Sequence, residues 1–85
     1  ISGRDISVFV KKYREFKANP QRHFINTESP INQFGYFLLN AKRIDEAIEI
    51  FKLNVESYPN SANVYDSLGD ALQAAGRKEE AIKSY

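Results

Sequence analysis

Residues 28–51, ESPINQFGYFLLNAKRIDEAIEIF, lie without a gap over residues 62–85, ANVYDSLGDALQAAGRKEEAIKSY, at an offset of 34. Seven of the 24 aligned positions are identical: Gly35/Gly69, Leu38/Leu72, Ala41/Ala75, Arg43/Arg77, Glu46/Glu80, Ala47/Ala81 and Ile48/Ile82. Phe34/Leu68, Asp45/Glu79 and Phe51/Tyr85 match in kind. A period of about 20–50 residues marks stacked supersecondary units, each too small to bury its apolar face alone.

Each copy reads as two helices. In the first, Ser29 is placed to cap a helix opening at Pro30, where a missing N–H loses nothing. Ile31, Phe34, Leu38 and Ala41 then recur at helical spacing. A turn at Lys42–Arg43 leads to a second amphipathic stretch through Ala47, Ile48, Phe51 and Val55. Tyr58-Pro59 stops it, because proline disfavours helix at the residue before it. In the second copy Asn60 or Ser61 caps, Tyr65, Leu68 and Leu72 form the stripe, and Gly76 is placed to end the helix in a left-handed conformation. Arg77 to Tyr85 would begin the partner helix. The chain thus divides into a first unit over 28–61 and a truncated second unit over 62–85.

Upstream, residues 1–27 read as a capping helix and a connector. Asp5 to Lys17 places Ile6, Phe9, Val10, Tyr13 and Phe16 on one face, with Lys and Arg around the rest. Asn19-Pro20 ends that helix, and an irregular connector carries His23, Phe24 and Ile25. Phe9, Tyr13 and Phe16 are expected to cover Phe34 and Phe37.

Composition narrows the function classes. Apolar residues at 42% and charged residues at 27% describe a globular chain, not a disordered one. Eighty-five residues make one small domain with a modest core. Residues 1–27 hold six Lys/Arg against Asp5 and Glu15, net +4, while residues 28–85 hold six against nine acidic groups, net −3. The basic helix is too sparse for a nucleic-acid footprint, so no nucleic-acid partner is expected. No apolar run approaches the roughly 18 residues of a membrane span, and none resembles a signal peptide, so no membrane partner is expected either. Ile1 in place of an initiator Met suggests a piece of a longer protein.

No catalytic, cofactor or metal site is expected. His23 is the single histidine and lies in the connector with no glycine-flanked serine elsewhere to serve as nucleophile. There is no Cys, and the adjacent pairs Asp45-Glu46 and Glu79-Glu80 are accounted for by the positive ends of helix dipoles. Gly3, Gly35, Gly69 and Gly76 form no phosphate-cradling loop.

The strings Ile31-x2-Phe34-Gly35-x2-Leu38, Ala47-x3-Phe51 and Pro59, repeated as Tyr65-x2-Leu68-Gly69-x2-Leu72 and Ala81-x3-Tyr85, resemble the tetratricopeptide repeat pattern. The resemblance covers residues 28–85. It implies an all-α fold of antiparallel helix hairpins in a right-handed superhelix, with small residues at the helix crossings, and a protein-interaction or scaffold role. Asn54 departs from the pattern, where the family has a small residue, and this predicts a looser end to the first hairpin. NQFGYFLL (32–39), IFKLNVESYPNSANVYDSLG (50–69) and YREFK (13–17) are also similar to C-terminal tails of bacterial secreted or periplasmic serine hydrolases, esterase-like or β-lactamase-like. That narrower resemblance implies a dimerisation or regulatory appendage in the bacterial envelope, with the active site upstream of these residues.

In tetratricopeptide arrays the first helix of each unit lines a concave groove. With Ile31, Phe34 and Leu38 facing inward, the 100° helical step groups Asn32, Tyr36 and Leu39 on the groove flank, and Asp66, Asp70 and Gln73 in the second unit. Two carboxylates, an aromatic ring and amides favour a polar or basic protein segment over an acidic one. The clamp by which the family holds acidic chaperone tails needs basic groups and asparagine where this chain has Tyr36 and Asp70, so no such tail should bind. Ala81, Ile82 and Tyr85 lack a following helix, and this predicts self-association through the C-terminal end.

Overall fold

The computed structural model describes residues 3–22 and 25–84, with side chains over 6–22 and 25–76. His23 and Tyr85 lie outside the described residues, as do the side chains of Ala81 and Ile82. The fold is all-α: α1 (Gly3–Ala18), α2 (Glu28–Asn40), α3 (Ile44–Ser57) and α4 (Ala62–Ser84), with no strand among the described residues.

α3 is the hub. Its apolar positions recur on more than one side of the helix, so α1, α2 and α4 all pack on it. Ala47, Ile50, Phe51 and Leu53 are buried there, joined by Ile31 and Leu38 of α2, Ile6 and Tyr13 of α1, and Ala71 of α4. α2 and α3 form an antiparallel hairpin whose close approach depends on Gly35. A Cβ on Gly35 would fall 2.6 Å from Cδ1 and 2.7 Å from Cζ of Phe51, and closer still to Cε1. Phe51 is fully buried, and the Tyr36 ring stands edge-on to it at 5.1 Å.

The turn between α2 and α3 is a Schellman motif. Lys42 takes φ 67°, Arg43 N–H donates to Leu38 O at 2.9 Å, and Lys42 N–H donates to Leu39 O at 3.1 Å, so the last carbonyls of α2 are satisfied. Arg43 then forks onto the Glu46 carboxylate in the first turn of α3. α2 opens at Glu28, two residues before the expected start at Pro30. Pro30 therefore sits within the first turn, whose N–H groups have no intrahelical partner in any case.

Asn54 tightens the end of this hairpin where looseness was expected. Its side chain is buried, and Nδ2 donates to the Glu28 carbonyl at 2.9 Å, tying the end of α3 to the start of α2. A polar knot closes the same end. The Tyr13 hydroxyl bonds Thr27 Oγ1 at 3.0 Å and Ser57 Oγ at 2.8 Å, while Tyr58 accepts from Thr27 N–H at 2.7 Å and Lys17 Nζ at 3.2 Å.

Three expectations need correction. α4 runs unbroken through Gly76 to Ser84, and no described glycine has positive φ, so the expected turn and partner helix at Arg77 are not formed. An uninterrupted helix keeps the i→i−4 hydrogen bonds that a turn at Gly76 would give up. The buried stripe of α4 is Val64, Ser67 and Ala71 with half-buried Leu68, while Tyr65 and Leu72 are about half exposed. Among the described residues no helix covers Tyr65 and Leu72 as α3 covers Ile31 and Leu38, and α4 turns the neighbouring stripe to α3. Finally, α1 crosses α3 and reaches α2 at Phe34, whose ring meets Phe9 edge-on at 5.0 Å, leaving Phe37 61% exposed.

Candidate functional site

Helical periodicity and the 34-residue offset act together where α2 faces α4. Asn32 and Tyr36 are one turn apart on α2, and their offset mates Asp66 and Asp70 are one turn apart on α4. Tyr36 Oη donates to Asp70 Oδ2 at 2.6 Å, and Ser67 Oγ donates to Asn32 Oδ1. These two bonds bridge the helices along one side.

Beside them lies a cavity of about 310 Å³ lined by Glu28, Ser29, Asn32, Tyr36, Asn63, Asp66 and Ser67. Glu28 and Asp66 bring carboxylates to its wall, Asp70 stands one turn along α4, and no Lys or Arg lines it. The Glu28 carboxylate accepts from Ser61 Oγ at 3.1 Å, which orients it at the start of α2. The field of these groups registers on Tyr36. Its phenol titrates above the ordinary 10.0, chiefly because it donates to Asp70, with burial and the charges of Asp70 and Asp66 adding to the shift and the Ser67 hydroxyl opposing it.

Of the six predicted groove residues, Asn32, Tyr36, Asp66 and Asp70 come together. Leu39 is half-buried against the hydrophobic core, and Gln73 is exposed beyond the end of the cavity. Glu28, Ser29, Asn63 and Ser67 were missed. The signal for two of them was present, since Ser29 and Asn63 are also offset mates and precede Asn32 and Asp66 by three residues. Ser67 pairs with Asn32 across the helices, and no spacing along the chain points to that bond.

The trough between α1 and α3 has a different character. One part, about 430 Å³, is lined by Ser7, Asp45, Glu46, Ile48, Glu49 and Lys52, so both signs of charge occur in it. Farther along, Arg14 pairs with Glu56 at 3.0 Å across exposed surface. Among the described residues no three His, Cys, Asp or Glu side chains converge as metal ligands, and no helix is long and apolar enough to cross a membrane.

Scans of protein-family models, curated proteins and solved structures each return no match for this chain.

Proposed function

We propose that this chain is a helical-repeat protein-interaction module of tetratricopeptide type, and that its α2–α4 groove takes a basic segment of a partner protein. The observation that carries this reading is the cavity between the helices, walled by Glu28 and Asp66 and free of lining Lys or Arg. A lysine or arginine side chain entering it meets carboxylates, the Ser29 hydroxyl and the amides of Asn32 and Asn63. It also passes the Tyr36 ring, whose face attracts cations. The repeat supports the reading from a second side, because both copies contribute equivalent positions to the two walls. An acidic ligand would face the same carboxylates as like charges, and discrimination between the two rests on that repulsion.

Calorimetric titration with a lysine- and arginine-rich octapeptide and with its glutamate-rich counterpart tests the proposal. The basic peptide should bind in the micromolar range and weaken as salt rises. Glu28→Gln and Asp66→Asn should each weaken it by about threefold to tenfold, as expected for the loss of one partly exposed charge contact. Equal binding of the acidic peptide, or affinity indifferent to both substitutions, would contradict it.

A further inference from the structure

The two copies of the repeat treat one stripe differently. On α4, Val64, Ser67 and Ala71 are buried where the helix packs on α2 and α3, and Ser67 Oγ donates to Asn32 Oδ1. Their mates at the 34-residue offset are Pro30, Gln33 and Phe37 of α2. All three are exposed, and Phe37, at 61%, is the most exposed large apolar side chain among the described residues. The stripe is a helix-packing face in one copy and open surface in the other.

Part of its cover is in place. Leu68 of α4, half-buried, has Phe34 as its mate, and the Phe34 ring already meets Phe9 of α1. Among the described residues, nothing holds on α2 the place that α2 holds on α4. There α2 turns its Asn32 and Tyr36 flank to the neighbouring helix, bonding Ser67 and Asp70. The chain has one further copy of that flank. Asp66, Asp70 and Gln73, mates of Asn32, Tyr36 and Leu39, are all exposed on α4.

We infer that the Pro30–Gln33–Phe37 face of one molecule receives the Asp66–Asp70–Gln73 flank of α4 from a second molecule. The contact is head to tail and repeats between molecules the packing of α4 on α2 within one. The bond from Ser67 to Asn32 then has its counterpart in a bond from the Gln33 amide to Asp66 of the second molecule. Phe37 is larger than Ala71, which sets these two helices farther apart, and Gln33 is longer than Ser67 by enough to span the added distance. Charge favours the same pairing. Residues 1–27 carry a net +4, and Lys12 is exposed on α1, beyond Phe9 on the side away from buried Ile6. It therefore borders the Phe37 face, to which the arriving flank brings two carboxylates. Because the two surfaces are different ones, copies add in a row and no closed ring or two-fold pair is required.

Sedimentation velocity of the 85-residue chain, from low micromolar to millimolar concentration and without any peptide, reads this association independently of what the α2–α4 groove binds. One helix face is a small interface, so growth belongs at high micromolar concentration. The average mass should climb past two copies there and fall back as salt is raised. Phe37→Glu sets a further carboxylate against Asp66 and Asp70, and Asp66→Lys turns a positive charge towards Lys12. Each should weaken association about tenfold or more while leaving helix content unchanged, since both positions are exposed. Mixed in equal amounts, the two variants should pair one to one and grow no further, because each keeps the surface that the other has lost. A single-copy mass at every concentration would overturn the inference, and so would association indifferent to Phe37→Glu. A mixture that stays unpaired while the parent chain associates would overturn it too, by excluding the head-to-tail contact.

Discussion

Gly35 of α2 lies directly against Phe51 of α3: the fully buried ring occupies the space in which any side chain at position 35 would begin. Two consequences follow from one geometry. The helices approach closely because position 35 has no Cβ, and the ring is held because the backbone of α2 forms one wall of its site.

Gly35→Ala should therefore lower stability by about 2–3 kcal/mol, despite alanine's higher helix propensity, because an aromatic ring in a filled core has no room to retreat. Phe51→Leu in the same chain should recover part of the loss. Chemical denaturation of the two single variants and the double variant gives the coupling, and simple additivity would show that the contact is not the cause.

Asn54 is buried, and its Oδ1 has no hydrogen-bond partner among the described residues, while Nδ2 holds the Glu28 carbonyl. Asn54→Asp replaces the donor with an oxygen facing a carbonyl and buries a charge. A loss of about 2–4 kcal/mol near neutral pH is expected. Burial raises the folded-state pKa of such a carboxyl. Stability should then recover as pH falls through that raised value, whereas the parent chain shows no such recovery. Thermal melts over a pH series measure both.

Tyr36 and Tyr58 should titrate on opposite sides of the ordinary 10.0. For Tyr58, burial is the largest influence and acts upward, but hydrogen bonds from Thr27 and the charge and hydrogen bond of Lys17 together bring the phenol below that value. For Tyr36, the bond to Asp70 leads and holds the phenol above it. The signs for stability differ accordingly. Tyr36 contributes below its unfolded pKa and loses that contribution as pH rises through its folded value, whereas Tyr58 contributes above its unfolded pKa and loses that as pH falls through its folded value. Ultraviolet titration of Tyr36→Phe and Tyr58→Phe should remove the later and the earlier tyrosinate step respectively. The reverse order would contradict the hydrogen-bond assignments.

Tyr13→Phe removes the hydroxyl that bonds both Thr27 and Ser57, leaving the ring stacked near Phe9 at 6.4 Å. About 1–2 kcal/mol should be lost. Amide exchange should speed up at the start of α2 and the end of α3 before it does at Gly35. Uniform acceleration along the chain would argue that the knot has no local role.

Most of this architecture is legible in the sequence because it is written in spacing. Ile31, Leu38, Ala47 and Phe51 follow helical periodicity, Tyr58-Pro59 ends α3, and the offset of 34 brings Tyr36 to Asp70. What spacing does not encode depends on tertiary balance. Gly76 has the local freedom to turn and Lys42 has less, yet Lys42 turns and Gly76 does not. A residue's local freedom to turn thus does not by itself decide where a helix ends. Tyr65 and Leu72 illustrate the same point, since their pattern is that of Ile31 and Leu38 and only the presence of a partner helix decides burial. The bonds from Ser67 to Asn32 and from Asn54 to Glu28 join residues with no periodic relation, so they become visible only in three dimensions.

The groove is tested most directly by following backbone amide resonances of the isotope-labelled chain while the lysine- and arginine-rich peptide is added. Saturating shifts should gather at Asn32, Tyr36, Asn63, Asp66 and Ser67, and fade as salt is raised. Shifts confined to the α1–α3 trough or to the Tyr65–Leu72 face, or resonances unmoved at millimolar peptide, would contradict the assignment of the α2–α4 groove as the binding site.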